Sequence, residues 1–279
     1  MLLLHMCQLR VLLVSVEGKP ASASAGIAIR VAGAYDMTLI QPASNADLDE
    51  YLHPRCSTGT LDNFIIRREI LAAITAQLPN LNGTLLDVGC GYMPYKSLLT
   101  SAPGRVGKYI GMDLADNIYL KDRVDLTWDG RTIPLPDASV DCALATEFFE
   151  HCPAAEAALR EVARVLRSGG RLVVTVPFLW PLHEVPHDEY RYTPFSLARH
   201  LRAAGFGDID IRPLGGWDAC MAQMIGLWIR WRGFSDRNRA VLSRLAMPLV
   251  RSLYRRDRPP ADFRNMSLMA GLAASAIKR

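Results

Sequence analysis

Short runs of β-forming residues, Thr84 to Val88, Lys108 to Asp113, Asp141 to Thr146, Arg171 to Val176 and Asp208 to Ile211, alternate with helical or turn segments such as Pro153 to Leu166 and Pro194 to Ala204. Strands that alternate with helices leave a chain few solutions. Crossovers are right-handed, successive strands lie parallel, and helices cover both faces of the sheet. The pattern therefore predicts a doubly wound α/β fold with a mainly parallel sheet. Upstream, Leu61, Ile65, Ile66, Ile70, Ile74 and Leu78 recur at helical spacing and predict a helix packed on something flat. In such sheets ligands sit beyond the carboxyl ends of the strands, at the switch point of strand order.

A chain of 279 residues that is 50% hydrophobic can bury one large core. Its net charge of +4, from 32 basic and 28 acidic residues, excludes the overall basic field of a dedicated nucleic-acid binder, and no nucleic-acid partner is expected. Cysteines occur without any C-x-x-C pair, against a disulfide framework or zinc ribbon and in keeping with a reducing compartment. Residues 1–50 read as a weakly ordered leader, with Met1 or Met37 as the start. The apolar stretch Met1 to Val16 is interrupted by His5, Gln8 and Arg10 and lacks a basic n-region, so it makes a poor signal peptide. The expected location is cytoplasmic or peripheral at the inner membrane face. Residues 51–279 are expected to form one domain, with a core over 60–213, a helical insertion near 217–260 and a last strand near 267–277.

The run Leu85-Leu86-Asp87-Val88-Gly89-Cys90-Gly91-Tyr92-Met93-Pro94 places an acid near a strand end and two glycines in the turn that follows. Glycine admits positive φ and lets the backbone approach a ligand closely. A dinucleotide fingerprint needs a third glycine where Pro94 stands, which disfavours a nicotinamide oxidoreductase and a bound pyrophosphate. Asp113 ends a later strand, where a carboxylate can accept from both hydroxyls of a ribose, and Asp129-Gly130 precedes another strand.

Together with Pro134-Leu135-Pro136-Asp137-x-x-Val140-Asp141, Glu147-x-x-Glu150-His151 and Arg160-Glu161-x-x-Arg164-Val165-Leu166-x-x-Gly169-Gly170, these pieces resemble class I S-adenosylmethionine-dependent methyltransferases. The resemblance implies a seven-stranded Rossmann-like sheet and S-adenosylmethionine as cofactor. It further implies that Asp87, Gly89 and Gly91 hold the methionine part, Asp113 the ribose, Asp129 with Gly130 the adenine, and Glu147 a place beside the methionine moiety. Arg164 to Gly170 match a helix end and turn before the fifth strand. Cys90 reads as a packing residue, with no base beside it.

After Val176 comes Pro177 to Pro194, which contains His183-Glu184-x-x-His187. That metalloprotease motif needs one continuous helix, whereas Pro181 and Pro186 interrupt the segment, so no metal is assigned. The stretch resembles a methyltransferase subgroup with His-x-x-x-His-Asp-x-x-Arg-Tyr-Thr-Pro, many of whose members act in bacterial glycan or secondary-metabolite pathways. It is expected to cover the strand ends and shape the acceptor pocket. The sulfonium carries an activated methyl group, so transfer to a hydroxyl oxygen of a glycan, lipid-linked or secondary-metabolite acceptor needs in-line positioning and a base. His187 is the expected base, with Asp188 orienting it, His183 as substitute and Arg191 holding a polar part of the acceptor. A structural alternative has Asp188 and Arg191 pinning the loop over His187. His151 is expected to cap or pack at a helix start. A catalytically silent cofactor-binding scaffold subunit is the rival from another class.

Between Trp228 and Arg258 nine arginines face two aspartates, interleaved with Trp231, Phe234 and Tyr254. Leu242, Leu245, Leu249 and Leu253 fall on one helical face. Such an element can cover the sheet, pair two subunits into a homodimer, or lie against an anionic membrane surface.

Overall fold

The computed structural model describes residues 45–114 and 124–279. The leader expected over residues 1–50, with both start positions, falls outside them as far as residue 44. The chain forms helix α1 at Asn45–Leu52, α2 at Phe64–Gln77, strand β1 at Asn82–Val88, α3 at Lys96–Thr100, β2 at Arg105–Leu114 and β3 at Leu126–Trp128. It continues with β4 at Val140–Thr146, a 3-10 turn at Phe149–His151, α4 at Ala155–Val165, β5 at Leu166–Pro177 and α5 at Pro194–Ala203. The last elements are β6 at Phe206–Leu214, α6 at Trp217–Trp231, α7 at Asp236–Arg256 and β7 at Gly271–Lys278.

The fold is a doubly wound seven-stranded sheet in the order β3-β2-β1-β4-β5-β7-β6. Every pairing is parallel except those of β7, which runs antiparallel between β5 and β6. Strand parity explains the two cores. Leu86, Val88, Ala143, Ala145, Leu172 and Val174 face one side and pack with Leu159, Val162, Leu197 and Leu201 of α4 and α5. Leu85, Cys142, Leu144 and Val173 face the other and pack with Ile66, Ile70, Ile74 and Leu99 of α2 and α3. Each residue added to a strand reverses its side, so near-continuous apolar runs are what a sheet buried on both faces requires. Strand order reverses between β1 and β4, and the carboxyl ends of β2, β1, β4 and β5 share one edge of the sheet.

Several sequence boundaries shift, among them the last strand, expected near 267–277 and found at Gly271–Lys278. Leu166 to Gly170, read as a turn, already belongs to β5, and the helix expected from Leu61 begins at Phe64. Arg164 ties the region together: its guanidinium bonds Glu161, Asp137 and the carbonyls of Ile133 and Leu135.

The α6–α7 pair packs on the start of α2 through Leu61, Phe64, Ile65, Ala219, Ala222, Ile229 and Val250. That choice divides the leucine face of α7. Leu242 and Leu253 pack inward, whereas Leu245 and Leu249 are exposed, because the seam centred on Val250 selects Ala246, Met247 and Tyr254 as its neighbours. On α6 the exposed residues are Trp217, Met221, Met224, Trp228 and Trp231, spaced four, three, four and three apart on one helical stripe. No helix among the described residues is long and apolar enough to cross a membrane.

Candidate functional site at the strand ends

The turn after β1 is built on itself and on β2. Gly89 N and Cys90 N donate to the carbonyl of Met112. Gly91 N donates to Asp113 Oδ2 at 2.9 Å, and Leu114 N to Asp113 Oδ1 at 2.8 Å. Gly89 (φ 66°) and Gly91 (φ 49°) both occupy the left-handed region, where a side chain is strained. They differ in surroundings. A Cβ on Gly89 would stand 2.3 Å from the Phe148 ring, whereas one on Gly91 would meet nothing within 4 Å.

Asp87, Asp113 and Glu147 thus stand at the ends of neighbouring strands β1, β2 and β4. Asp87 is buried and takes a hydrogen bond from the Tyr109 hydroxyl on Oδ2, leaving Oδ1 buried without a hydrogen-bond partner. Burial, opposed by the Tyr109 bond, pushes its carboxyl up to about 7. Glu147 sits at φ 49° with its N–H bonded to the Thr175 carbonyl, and burial also pushes its carboxyl up to about 7. Glu147 Oε1 is likewise buried and unpartnered. Buried carboxylate oxygens that no protein group satisfies fit a cationic ligand. With the open space at Gly91 and the acid of β2 alongside, the residues present fit the methionine and ribose parts of S-adenosylmethionine. Cys90 is buried beneath the turn, and burial pushes its thiol up, away from nucleophilic use.

Asp129 and Gly130 follow β3 directly, at the same edge. The Asp129 carboxylate is spent on its own turn, with Oδ1 accepting from Arg131 N at 2.9 Å and Thr132 N at 2.8 Å. These backbone bonds hold its carboxyl below the usual range.

The segment after β5 is a loop pinned to the 3-10 turn that follows β4. Glu189 N and Tyr190 N donate to the Glu150 carbonyl, and the Tyr192 hydroxyl to the Phe149 carbonyl at 3.0 Å. Thr193 caps α5, accepting from Ser196 N, with Pro194 in the first turn. The Tyr-Thr-Pro end of the loop is therefore architecture.

One sequence expectation is corrected here. Asp188 was expected to orient His187, but its carboxylate is held by Arg191 and lies 3.2 Å from His183 Nδ1. The fork of Arg191 outcompetes a ring for a buried carboxylate because it offers two parallel N–H groups. Burial opposes ionisation of Asp188, yet Arg191 and His183 hold it below the usual carboxylate range. Arg191 also bonds the carbonyls of Trp180 and Pro181, so the loop is closed on itself. His187 enters through its main chain, with N bonded to the Glu184 carbonyl and O lying 3.0 Å from His151 Nδ1. Its half-buried ring shows no hydrogen bond or ion pair among the described residues.

Sequence reasoning gave no role to Tyr109 or Glu150, and gave His151 only a structural one. Glu150 and His151 are fully buried next to His183, whose ring stands edge-on to that of His151 with centroids 4.7 Å apart. Burial and the Glu147 charge hold the Glu150 carboxyl well above its usual range, and burial lowers His151 to about 4, leaving it neutral. The signal was present in the run Glu147-x-x-Glu150-His151 directly after a strand, whose spacing turns all three side chains toward the same strand ends.

Residues 86–174 match the family model described as a methyltransferase domain. The malonyl-[acyl-carrier protein] O-methyltransferase of Methylococcus capsulatus is 29% identical over 218 residues, covering 68% of this chain and 79% of that one. The ubiquinone/menaquinone biosynthesis C-methyltransferase of Salmonella arizonae is 27% identical over 169 residues, 46% of this chain and 67% of that one. An uncharacterized Streptomyces fradiae transposon protein is 36% identical over 102 residues, and this chain spans 29% of its length. Among solved structures, an S-adenosylmethionine-dependent methyltransferase of Thermotoga maritima shares the fold, with a TM-score of 0.52 at 17% identity over 79% of this chain and 92% of that one.

Proposed function

We propose that this chain, an S-adenosylmethionine-dependent methyltransferase with the class I fold, methylates a hydroxyl oxygen of a glycan, lipid-linked or small-molecule acceptor held under the loop after β5. The observation that carries the reading is the crowd of acid and imidazole side chains, Glu147, Glu150, His151 and His183, beneath that loop, where the His187 main-chain carbonyl meets His151. Bound S-adenosylmethionine supplies a methyl group already activated by its sulfonium. The chain then has three tasks. Gly91, Asp87 and Asp113 seat the cofactor so that the methyl group faces the loop. The loop, closed by Arg191 and Asp188, excludes water and positions the acceptor in line. His187 takes the hydroxyl proton as the new bond forms, and its unpaired, half-buried ring supports that role.

Oxygen transfer is also the activity in the printed name of the Methylococcus relative, whereas the Salmonella relative is named for carbon transfer. Labelled cofactor with a panel of hydroxylated glycans, lipids and small molecules decides between them by mass spectrometry. The expected product gains one methyl group on oxygen; a product methylated on carbon or nitrogen overturns the reading.

The α6 stripe bears on where the acceptor is met. β6 ends at the same edge as β5, since Leu214 and Pro177 both pair with Gly271, so α6 starts beside the site. Exposed tryptophans and methionines accompanied by exposed Arg232, Arg237, Arg244 and Arg251 complement an anionic bilayer. The proposed partner is therefore an anionic membrane surface, contacted without insertion of a spanning helix.

A further inference from the structure

Three side chains with metal-ligand chemistry meet beneath the acceptor loop, and in the reading above they line the acceptor side without a step of their own. Donor atoms of Glu150, His151 and His183 all lie within 4.8 Å of one another. Glu150 is fully buried, and neither of its carboxylate oxygens has a hydrogen-bond partner; His151 Nε2 is buried and unpartnered as well. A carboxylate taken from water without a partner is among the least tolerable groups in a core. Glu147 and Glu184 add negative charge facing Glu150, and the guanidinium that acts on it, that of Arg191, is already committed to Asp188.

We propose that Glu150, His151 and His183 bind a single divalent transition-metal ion, with Glu147 beside it as a further carboxylate. Both imidazoles are prepared for that. A carbonyl can only accept, so the His187 carbonyl 3.0 Å from His151 Nδ1 requires the proton there and leaves Nε2, 3.7 Å from Glu150 Oε1, as a lone pair. Asp188 Oδ2 accepts from the His183 main-chain N–H at 3.1 Å and lies 3.2 Å from Nδ1 of the same residue, which makes Asp188 a positioning residue for His183. Carbonyls and carboxylates behind metal-bound histidines do this regularly. Two nitrogens and one carboxylate favour zinc, cobalt, manganese or iron over calcium or magnesium. Ligands of a tetrahedral zinc stand about 3.3 Å apart, so the cluster needs to contract by little more than an ångström, chiefly by movement of the His183 ring.

These ligands are not the His183-Glu184-x-x-His187 motif, whose prolines break the continuous helix it needs. Two of them come from the turn after β4, and His187 stays outside as the proton acceptor. Resting on the hydroxyl-transfer reading, the ion's task would be to take an acceptor oxygen as its open ligand and make that hydroxyl a stronger acid.

The test uses the full chain, stripped with a chelator. Cobalt(II) is titrated with its d–d absorption as the readout, and zinc(II) by calorimetry, both without acceptor. One equivalent is expected to bind, with Glu150→Gln and His183→Ala each weakening it by roughly tenfold or more. Binding of S-adenosylhomocysteine reports that each variant is folded; if Glu150→Gln fails there, His183→Ala on the loop decides. Absence of binding to the wild-type chain, or wild-type affinity in the folded variants, overturns the proposal. Since no methyl transfer is involved, metal binding survives a failure of the hydroxyl reading, and loss of metal binding leaves that reading standing.

Discussion

The N–H of Gly91 donates to Asp113 Oδ2 across 2.9 Å, so the acid that ends β2 closes the glycine turn that follows β1. Two residues 22 positions apart are one device. The carboxylate that shapes the turn is also the one proposed to receive a ribose.

Asp113→Ala removes both functions. Hydrogen bonds to a charged group contribute about 1.5–3 kcal/mol, so calorimetry is expected to show affinity for S-adenosylhomocysteine reduced roughly tenfold to a hundredfold. Unchanged affinity would separate Asp113 from the cofactor.

The two glycines of the turn should fail differently. Gly89→Ala combines left-handed strain with a collision against Phe148 and is expected to lower stability by about 2–5 kcal/mol. Gly91→Ala carries only the strain, about 1–2 kcal/mol, but its methyl group enters the open cradle and should weaken cofactor binding roughly tenfold or more. Thermal melts and calorimetry on the pair read the contrast, and equal effects on both measurements would refute it.

His187→Ala is expected to lower turnover at least about a hundredfold while cofactor affinity holds. Single-turnover kinetics with the acceptor found by the labelling experiment provide the measurement. Wild-type turnover in this variant removes His187 from the mechanism.

Asp87 makes stability depend on pH with a definite sign. Its carboxyl is raised from 3.8 to about 7 in the fold, so below about 4 the folded and unfolded chains are protonated alike. Between there and about 7 the unfolded chain releases a proton that the folded one keeps, so this residue's contribution to stability falls as pH rises and levels off above. Asp87→Asn cannot ionise. Its melting temperature relative to wild type should therefore climb from pH 4 to pH 8, and a constant difference would contradict the shift.

The stripe on α6 can be tested on vesicles. The full chain should sediment with phosphatidylglycerol vesicles and not with phosphatidylcholine ones, and Trp228→Ser with Trp231→Ser should release it. Sedimentation with neither lipid, or an unaltered double variant, rules out the membrane contact, and dimerisation through the same face would appear in analytical ultracentrifugation.

Much of this was legible in the sequence because the sheet is buried on both sides. Runs such as Leu172 to Val176 must then be apolar throughout, and the acids Asp87, Asp113 and Glu147 interrupt or end such runs where a strand leaves the core. β3 was not legible, because a three-residue strand carries no period. The partner of Asp188 was not legible either. Sequence spacing puts His187 next to it, but direction is decided by a loop that folds back through Arg191 onto the Trp180 and Pro181 carbonyls. The Glu150–His151–His183 cluster joins residues more than thirty positions apart, and only the pinning of the loop to the 3-10 turn brings them together.

That pinning has an evolutionary corollary. The loop after β5 hangs from main-chain groups of Phe149 and Glu150, and main-chain acceptors are the same whatever side chain is installed. Its side chains, apart from Tyr192, whose hydroxyl is one of the donors, can accordingly be exchanged without disturbing β1 and β2. One scaffold could in this way be refitted to new acceptors while the donor half stays as it is, and transplanting residues 178–191 between relatives is the natural route to altered selectivity.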